Sequence, residues 1–395
     1  IFAIDINCGV MMPKKAIISG VYNTKVGEVP GSTAMSLHAE AARGAIADAG
    51  LKLADVDGVL CAYVITETYP MLSSAFCEYV GIQPNFNAGV NAGGATGAIM
   101  VMQAAAMVEA GICKHVLCVA GDNRVTGMTR DRVVAALAEF GHPQFEVPYG
   151  ISIPTAYALV AQRYMHETGA TLEHLAALSV THRKHAAMHP DAHMTKPITM
   201  DDCADAKVIS APLRLLDCCL ISDGAAAYVI SEPDAADDTK THPIEILGAG
   251  QGHTHEHIVA APSLTDFGCK QASQRAFAEA GISHGDIDVA EIYDSFTITL
   301  LVELESIGFF GKGEAGPAAL EGALTHGGAL PCNTHGGLLS FGHSGAAGGM
   351  FHVVEAVRQL RHEAHSRQVR DAELCFVHGD GGVLSAHCSL ILGRG

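Results

Sequence analysis

The chain has 395 residues, of which 49% are hydrophobic and 17% charged, and its formal net charge is −18. This length and hydrophobic content can form a large buried core, and they favour two or three domains or one duplicated unit. The acidic balance argues against nucleic-acid binding, because a phosphate backbone needs a basic surface.

The cysteines and the apolar runs narrow the class of protein further. The twelve cysteines lack the paired spacing of zinc sites and of secreted disulfide frameworks. The Ala-rich run near residues 98–110 is interrupted by Gln103 and Glu109, so it lacks the purity of a transmembrane helix. We therefore expect a reduced cytoplasmic protein with no bound metal and no membrane span. Residues 1–11 precede a natural start at Met12, and we expect them to be an upstream extension or an expression remnant.

The first predicted unit after the N-terminal strand is an amphipathic helix followed by a short strand, in residues 39–64. The helix ends at Gly50, which suits the left-handed conformation of a helix stop, and Asp57 precedes an apolar run typical of a buried strand. A Gly-rich turn, NAGGATG in residues 91–97, then leads into a buried helix and the strand HVLCVAGD.

The middle of the chain does not follow this pattern. Residues 122–215 are polar and rich in His and Met, and we predict that they form an inserted loop domain. Within them Arg183 and Lys184 form the main local cationic cluster and could contact a phosphorylated ligand, although a solvated helix face is the commoner role of such a pair. The segment DCCLISDGAAAYVI predicts a glycine turn followed by a buried strand, with Cys218 and Cys219 as packing residues.

Residues 272–297 repeat the pattern of the first unit. Gly281 and Asp288 match Gly50 and Asp57 at the same spacing, and the second copy is also followed by a Gly-rich loop, a buried helix and a strand, ELCFVHGD. Such an internal repeat indicates that each copy is one structural unit.

The duplication predicts two similar α/β halves, residues 12–245 and 246–395. Alternating strands and helices favour mainly parallel sheets covered by helices. We expect the two Gly-to-helix turns of the halves to face each other and to enclose a site, because helix N-termini offer unpaired N–H donors and a partial positive charge.

Three stretches of the second half carry candidate catalytic residues. His343 lies in the Gly-rich loop directly before a helix, where an imidazole could donate to an enolate or carbonyl oxygen or move a proton near neutral pH. Tyr293 and Ser295 end a strand, in YDSFT, and could donate a proton and position a polar group. His378 and Gly382 end the last long strand, in HGDGG. Each side chain could instead have only a structural role, as a bond to a loop carbonyl or as a half-buried ring.

Several motifs together resemble the thiolase superfamily, and its lipid-transfer or sterol-carrier-type branch in particular. They are NAGGATG, PLRLLDCCLISDGAAA, YDSF with the stretch that follows it, and GGLLSFGHSGAAGG, in the right order over residues 13–393. The resemblance implies a duplicated, five-layered αβαβα thiolase fold, usually dimeric, with a site between the halves. It also implies a loop domain that binds coenzyme A as part of the substrate, with no tightly bound cofactor.

The sequence departs from that branch at the reactive positions. Gly94 stands where these thiolases carry a nucleophilic cysteine, and Tyr-Asp-Ser-Phe from Tyr293 stands where they read His-Asp-Cys-Phe. His343 is retained from a Gly-His-Pro motif. Glycine cannot form an acyl-enzyme. We therefore predict an aldolase-like enzyme that makes or breaks a C–C bond of a CoA thioester through an enolate. Tyr293 would be its acid/base, His343 the donor to the enolate oxygen, and the backbone at Gly94 and Gly382 a source of supporting donors.

Thiolase-like proteins that cleave steroid side chains are similar to this pattern. They lack the cysteine, carry a Tyr-Asp-x-Phe motif and pair with a small zinc-ribbon/OB-fold protein. By that resemblance Tyr293 matches their catalytic tyrosine, and a comparable partner protein is expected beside a homodimer. The match is partial, because those proteins have a tyrosine where this chain has His343.

Two other functions remain compatible with the sequence. The chain could be a thiolytic acyltransferase of the acetyl-CoA acetyltransferase type that uses a displaced cysteine, with Cys61, Cys118 and Cys332 as candidates. It could also be a non-catalytic subunit that binds CoA esters within a complex.

Overall fold

The computed structural model describes residues 15–233 and 241–395, and the prediction for residues 1–11 lies outside these ranges. Up to residue 233 the elements are β1 (Ile17–Asn23), α1 (Ala34–Asp48), β2 (Gly58–Ala62), α2 (Leu72–Val80), β3 (Phe86–Val90), α3 (Thr96–Glu109), β4 (His115–Asn123), α4 (Arg130–Ala138), α5 (Ile153–Thr168), α6 (Leu172–Ala186), α7 (Met200–Asp205), β5 (Val208–Ser210), β6 (Leu213–Arg214) and β7 (Asp223–Ser231). From residue 241 they are β8 (Ile244–His253), α8 (Cys269–Ala280), β9 (Val289–Ile292), α9 (Thr297–Ile307), α10 (Ala315–Leu320), α11 (Gly337–Ser340), α12 (Ala347–Leu360), β10 (Leu374–Gly381) and β11 (Ala386–Arg394).

The strands show the predicted duplication as a symmetric order. Nine of them form one sheet in the order β3-β2-β4-β7-β1-β8-β11-β10-β9, so β2-β4-β7-β1 in the first half corresponds to β9-β10-β11-β8 in the second. The halves join where β1 pairs with β8. Only β2–β3, β2–β4 and β9–β10 are parallel pairs among these strands. The expectation of mainly parallel sheets is therefore wrong, because the last strand of each half runs back antiparallel beside the strand before it.

The layers follow the predicted αβαβα order. Helices α3 and α12 pack on each other between the two half-sheets, and their apolar residues share one core with the inner faces of both. Helix α1 covers the outer face of the first half-sheet, and α8 and α9 cover that of the second. A largely buried helix needs apolar residues over most of its surface. In α3 the residues from Thr96 to Val101 are all buried, while Gln103, Ala106 and Glu109 remain exposed.

The aspartates of the sequence repeat have the same structural role in each half. Both carboxylate oxygens of Asp57 accept the backbone N–H of Lys114 at the start of β4, at 2.9–3.0 Å. One oxygen of Asp288 accepts the N–H of Leu374 at the start of β10, at 2.9 Å. Each aspartate therefore fixes the start of one strand against its parallel neighbour, which explains why the repeat places it before the strand.

The inserted segment lies between β4 and β7. Its helices α5 and α6 pack on α9 of the second half, and α6 also contacts α10 and α11. The predicted insertion, residues 122–215, begins within the end of β4 and stops before the connector 216–222, while the predicted boundary at residue 245 falls inside β8. None of the helices in the described ranges combines the length and the apolar character needed to cross a membrane.

Candidate active site

A tyrosine and a histidine of the second half meet beside the Gly-rich turn that precedes α3 of the first half. Tyr293 follows β9, and its backbone N–H donates to the carbonyl of His378 at 3.0 Å. Its Oη atom lies 3.2 Å from Nε2 of His343, which precedes α12. Burial raises the pKa of Tyr293 well above its ordinary value, so the phenol keeps its proton at neutral pH. The structure thus brings together the two side chains to which the sequence analysis gave the main chemical roles.

The ring of Tyr293 fills the space beside Gly94. A Cβ atom added to Gly94 would overlap Cζ, Oη and Cε2 of Tyr293, although the backbone of Gly94 is not in the left-handed region. At Gly93 the obstacle is backbone: φ is 59°, and a Cβ atom would lie 2.7 Å from Cα of Gly381. The phenol itself therefore excludes a side chain at position 94.

The two Gly-to-helix turns face each other, as the duplication led us to expect. A Cβ atom at Gly97 in α3 would lie 2.9 Å from the backbone nitrogen of Met350 in α12, so the two helices touch through backbone atoms. The last Gly-rich turn also belongs to this region, because a Cβ atom on Gly93 would lie 2.8 Å from the backbone nitrogen of Gly382. Gly94 and Gly382 are thus on neighbouring turns.

His343 has a second partner that the sequence analysis treated as a packing residue. Its Nδ1 atom lies 3.2 Å from Sγ of Cys219, 124 residues away in the chain. The backbone places this thiol, because Cys219 N–H donates to the carbonyl of Ser295 at 2.9 Å and Ser222 N–H to that of His343 at 3.0 Å. No rule of sequence spacing connects two residues that are so far apart. The only feature of the sequence that could have pointed to Cys219 is the glycine turn that follows it.

The ring and the thiol are both uncharged at neutral pH. Desolvation, followed by the charge of Arg124, lowers the pKa of His343 to about 3. Desolvation raises the pKa of Cys219 to about 12. The protonated thiol can donate to Nδ1, and a neutral imidazole bonded in this way would carry its own proton on Nε2, facing Tyr293. Both His343 and Cys219 keep partial exposure.

Arg124 is a cation of this site that sequence reasoning missed. It follows β4, its side chain is 5% exposed, and its Nε atom lies 3.6 Å from Oδ2 of Asp122. Nε has no hydrogen-bond partner within the described ranges. Its positive charge adds to the desolvation that lowers the pKa of His343. The available signal was its place at a strand end, where sites of α/β proteins collect.

The two residues after Tyr293 hold the surrounding loops. Oδ1 of Asp294 accepts the N–H of Leu338 in α11 at 2.7 Å, and its Oδ2 lies 2.9 Å from Nδ1 of His182. The hydroxyl of Ser295 lies 3.2 Å from that of Thr299, one turn into α9. Ser295 is therefore close to Tyr293 in the sequence, but its hydroxyl contacts Thr299 and does not join the Tyr293–His343 pair.

The side chain of His378 does not join the Tyr293–His343 pair. Only its carbonyl oxygen touches Tyr293, through the backbone bond described above. Its Nδ1 atom lies 2.8 Å from the hydroxyl of Ser389, and its Nε2 atom lies 3.1 Å from Nδ1 of His387. The geometry of a β-strand explains why the carbonyl and the side chain of His378 have different partners. The carbonyl lies in the plane of the sheet and bonds the neighbouring chain, whereas the side chain projects from one face of the sheet.

The candidate phosphate-binding pair also divides into two roles. Arg183 is 8% exposed, and its guanidinium donates to the hydroxyl of Ser340 at 2.9 Å and to the carbonyl of Lys196 at 3.2 Å. Arg183 therefore links the inserted segment to α11. Lys184 is exposed in the last turn of α6, where its charge is free to meet an anion.

The three cysteines considered for a displaced nucleophile lie within the cores. Cys61, Cys118 and Cys332 each have 0% exposure, and burial raises the pKa of each thiol well above its ordinary value. Their sulfurs form no hydrogen bond to Tyr293 or His343 in the described part of the chain. The thiol that the structure brings to the site is Cys219.

Comparisons with known families cover both halves of the chain. Residues 16–234 match the family described as thiolase, N-terminal domain, and residues 250–394 match the one described as thiolase C-terminal domain-like. The two matched ranges span nearly all of the described residues, and the second begins within β8.

Individual relatives match over most of their length. The "17-hydroxy-3-oxo-4-pregnene-20-carboxyl-CoA lyase" of Mycobacterium tuberculosis is 36% identical over 366 residues, which cover 89% of this chain and 92% of that protein. The "Acetyl-CoA acetyltransferase" of Methanothermobacter thermautotrophicus is 31% identical, over 94% and 98% of the two chains. The solved structure of the "Ltp2-ChsH2(DUF35) aldolase" is similar with a TM-score of 0.85 and 35% identity, over 96% of this chain and 98% of that one.

Proposed function

The chain belongs to the thiolase superfamily and is an enzyme of that family, and we propose that it makes or breaks a C–C bond of a CoA thioester through an enolate, without a cysteine acyl-enzyme. The family and the thiolase fold that the sequence motifs led us to expect are confirmed by the match over both halves. The relatives named as a carboxyl-CoA lyase and as an aldolase support this direction of chemistry.

One observation carries the proposal: the phenol of Tyr293 occupies the place of a side chain at Gly94 and points its Oη atom at His343. A nucleophile at position 94 and this phenol exclude each other sterically. The site is therefore built around a proton carrier instead of an acyl carrier.

Retro-aldol cleavage of a β-hydroxyacyl thioester suits such a site, because it moves one proton without a covalent intermediate. The Cα–Cβ bond breaks, its electron pair forms the thioester enolate, and the β-carbon becomes a carbonyl. In one coupled relay, the proton of Tyr293 passes to the α-carbon as the enolate develops, while Oη accepts the proton of the β-hydroxyl, so neither a phenolate nor a doubly protonated oxygen is left. The phenol begins and ends neutral, which agrees with the burial that disfavours its charged form.

His343 and Arg124 would stabilise the negative charge of the enolate. A neutral imidazole that accepts the Cys219 S–H on Nδ1 presents Nε2–H as a donor toward the thioester oxygen. The Arg124 guanidinium adds a fixed positive charge nearby in a largely buried setting. Backbone N–H groups of the turns at Gly94 and Gly382 could add further donors. In this scheme Cys219 positions the proton of His343 and has no covalent role.

The product balance tests this reaction. The probe is the compound named for the M. tuberculosis relative, because its 17-hydroxyl is β to the thioester carbonyl. We expect a ketone and a shortened acyl-CoA in equal amounts, formed with no free CoA added, as followed by liquid chromatography with mass detection. A reaction that required free CoA and consumed it stoichiometrically would contradict the proposal.

A thiolytic acyltransferase is the second candidate, and the Cys219–His343 contact favours it, since a thiol beside an imidazole is a common nucleophile–base pair. The raised pKa of Cys219 opposes it. We expect no acyl adduct on the chain when it is mixed with acetyl-CoA and analysed by intact mass spectrometry. An adduct that disappears in Cys219→Ala, and persists in the matched Cys218→Ala, would establish the acyltransferase instead.

The proposal extends to the surroundings of the site. Lys184 is the exposed member of the cationic pair and is proposed to contact a phosphate of the CoA moiety, with Arg183 supporting the loop. We also propose a cytoplasmic homodimer that binds a small zinc-ribbon/OB-fold protein, as the family resemblance implies. The similar solved structure is named as Ltp2 together with ChsH2(DUF35), which supports a partner protein. Activity assays should therefore include the chain both alone and with any protein that copurifies.

A further inference from the structure

Three buried side chains from separate elements of the second half converge away from Tyr293. Nε2 of His378 in β10 lies 3.1 Å from Nδ1 of His387 in β11. Oε1 of Glu303 in α9 lies 3.6 Å from the first nitrogen and 3.8 Å from the second. In the plane of these three atoms, the point equidistant from them is about 2.0 Å from each. This distance matches Zn–N and Zn–O bonds of about 2.0–2.2 Å.

Outer hydrogen bonds hold both imidazoles in this orientation. Nε2 of His387 lies 3.0 Å from the carbonyl oxygen of Leu384, which can only accept, so this nitrogen carries the proton and Nδ1 presents its lone pair inward. Nδ1 of His378 lies 2.8 Å from the hydroxyl of Ser389. A ligating histidine is usually fixed through its other ring nitrogen in this manner.

The carboxyl groups at this place lack partners that would satisfy them. Both oxygens of Glu303 are buried without a hydrogen-bond partner in the described ranges, and so is Oδ1 of Asp380, which lies 3.9 Å from Nδ1 of His387. The cluster therefore needs either added protons or a cation.

We propose that Glu303, His378 and His387 bind one divalent metal ion, with Zn²⁺ the best fit, and that the adjacent Asp380 balances its charge. Two nitrogens and a carboxylate oxygen are ligands that Zn²⁺ prefers, while Ca²⁺ needs more oxygens at about 2.3–2.6 Å. The ion would join α9 to the β10–β11 hairpin, behind the turn at Gly382. Its ligands are far apart in the sequence, so no paired spacing could have revealed them.

A second cluster of the same composition provides a matched control. Oε2 of Glu291 lies 3.0 Å from Nδ1 of His335 and 3.4 Å from Nδ1 of His352. Its Oε1, however, accepts both the N–H and the hydroxyl of Thr334 at 2.9 Å. The Glu291 carboxylate is therefore satisfied by protein groups, and its neutralisation should not change the metal content. Both ring nitrogens of His335 and Nε2 of His352 lack hydrogen-bond partners in the described ranges, so zinc that is lost in Glu291→Gln and kept in Glu303→Gln would place the ion in this second cluster and contradict the proposal.

The test is the metal content of the full chain, purified without chelators or metal-affinity resin and measured by plasma mass spectrometry after incubation with Zn²⁺ and desalting. We expect about one Zn²⁺ per chain, retained in Glu291→Gln and reduced at least tenfold in Glu303→Gln. Zinc from any copurified partner is the same in all three preparations and cancels in the comparison.

Two further readings keep the result decisive if a variant folds poorly. Co²⁺ bound to the wild-type chain, with Asp380 or a water as the fourth ligand, should give visible absorption of tetrahedral intensity, which loosely held surface histidines would not produce. Chelation should lower the melting temperature of the wild type. A wild-type chain without stoichiometric metal, or a Glu303→Gln variant that keeps its zinc or melts at a higher temperature than the wild type, would overturn the proposal in favour of protonated carboxyls or a buried water.

Discussion

Tyr293→Phe is expected to reduce kcat for C–C cleavage by about 10²–10⁴-fold, the usual contribution of a positioned acid/base. The variant keeps the ring that packs beside Gly94 and removes only Oη, the atom 3.2 Å from His343. Because the phenol is proposed to act on the β-hydroxyl and the α-carbon, KM for the CoA ester should change little. Steady-state kinetics with a β-hydroxyacyl-CoA measure both constants.

A matched control is available in Tyr164, which is also buried and donates its hydroxyl to Glu305 at 2.5 Å. Tyr164→Phe removes a buried hydroxyl of the same kind outside the site and should leave kcat within about twofold of the wild type. Unchanged turnover in Tyr293→Phe would remove the tyrosine from the mechanism, and an equal loss in both variants would attribute the effect to stability.

Gly94→Ala is expected to lower the free energy of unfolding by about 1–3 kcal/mol, since the added methyl group overlaps the Tyr293 ring in a closely packed core. Relief of the overlap would move the phenol, and a displacement of about 1 Å can cost 10²-fold in rate. Urea unfolding and steady-state kinetics measure the two effects on the same preparation.

The pair of residues can be tested by a double-mutant cycle. Tyr293→Ala removes the ring, so Gly94→Ala made in that background should cost much less stability than it does alone. Gly89→Ala is the matched control, because a Cβ atom there meets nothing closer than 4.0 Å. Equal destabilisation by Gly94→Ala in both backgrounds would show that the ring and position 94 do not compete for space.

The architecture could be predicted because the sequence repeats local signals with simple physical causes. Gly50 and Gly281 have φ values of 77° and 70°, as left-handed helix stops require, and Asp57 and Asp288 bind the start of a neighbouring strand. The direction of the strands was mispredicted. Alternation of helix and strand does not reveal that the final strand of each half, β7 or β11, runs back beside its predecessor.

The main residues of the site could be predicted from the sequence, but their contacts with one another could be predicted only in part. Gly94, Tyr293 and His343 stand out in the sequence, but nothing in their spacing shows that the phenol fills the volume beside the glycine. Cys219 and Arg124 were missed because their partners are distant in the chain. Arg183 was considered as a residue that binds a phosphorylated ligand. In the structure its guanidinium donates instead to the hydroxyl of Ser340 and to the carbonyl of Lys196.

The mutual exclusion of a phenol at position 293 and a side chain at position 94 also constrains how such a chain can have arisen. If an ancestor carried a reactive thiol at position 94, as the resemblance to cysteine thiolases implies, the tyrosine and the thiol would have competed for the same volume. The least costly order is then loss of the thiol before, or together with, the aromatic substitution. Once the ring is in place, any new side chain at position 94 carries the packing cost predicted for Gly94→Ala, so a return to a thiol is disfavoured unless the tyrosine is lost beforehand.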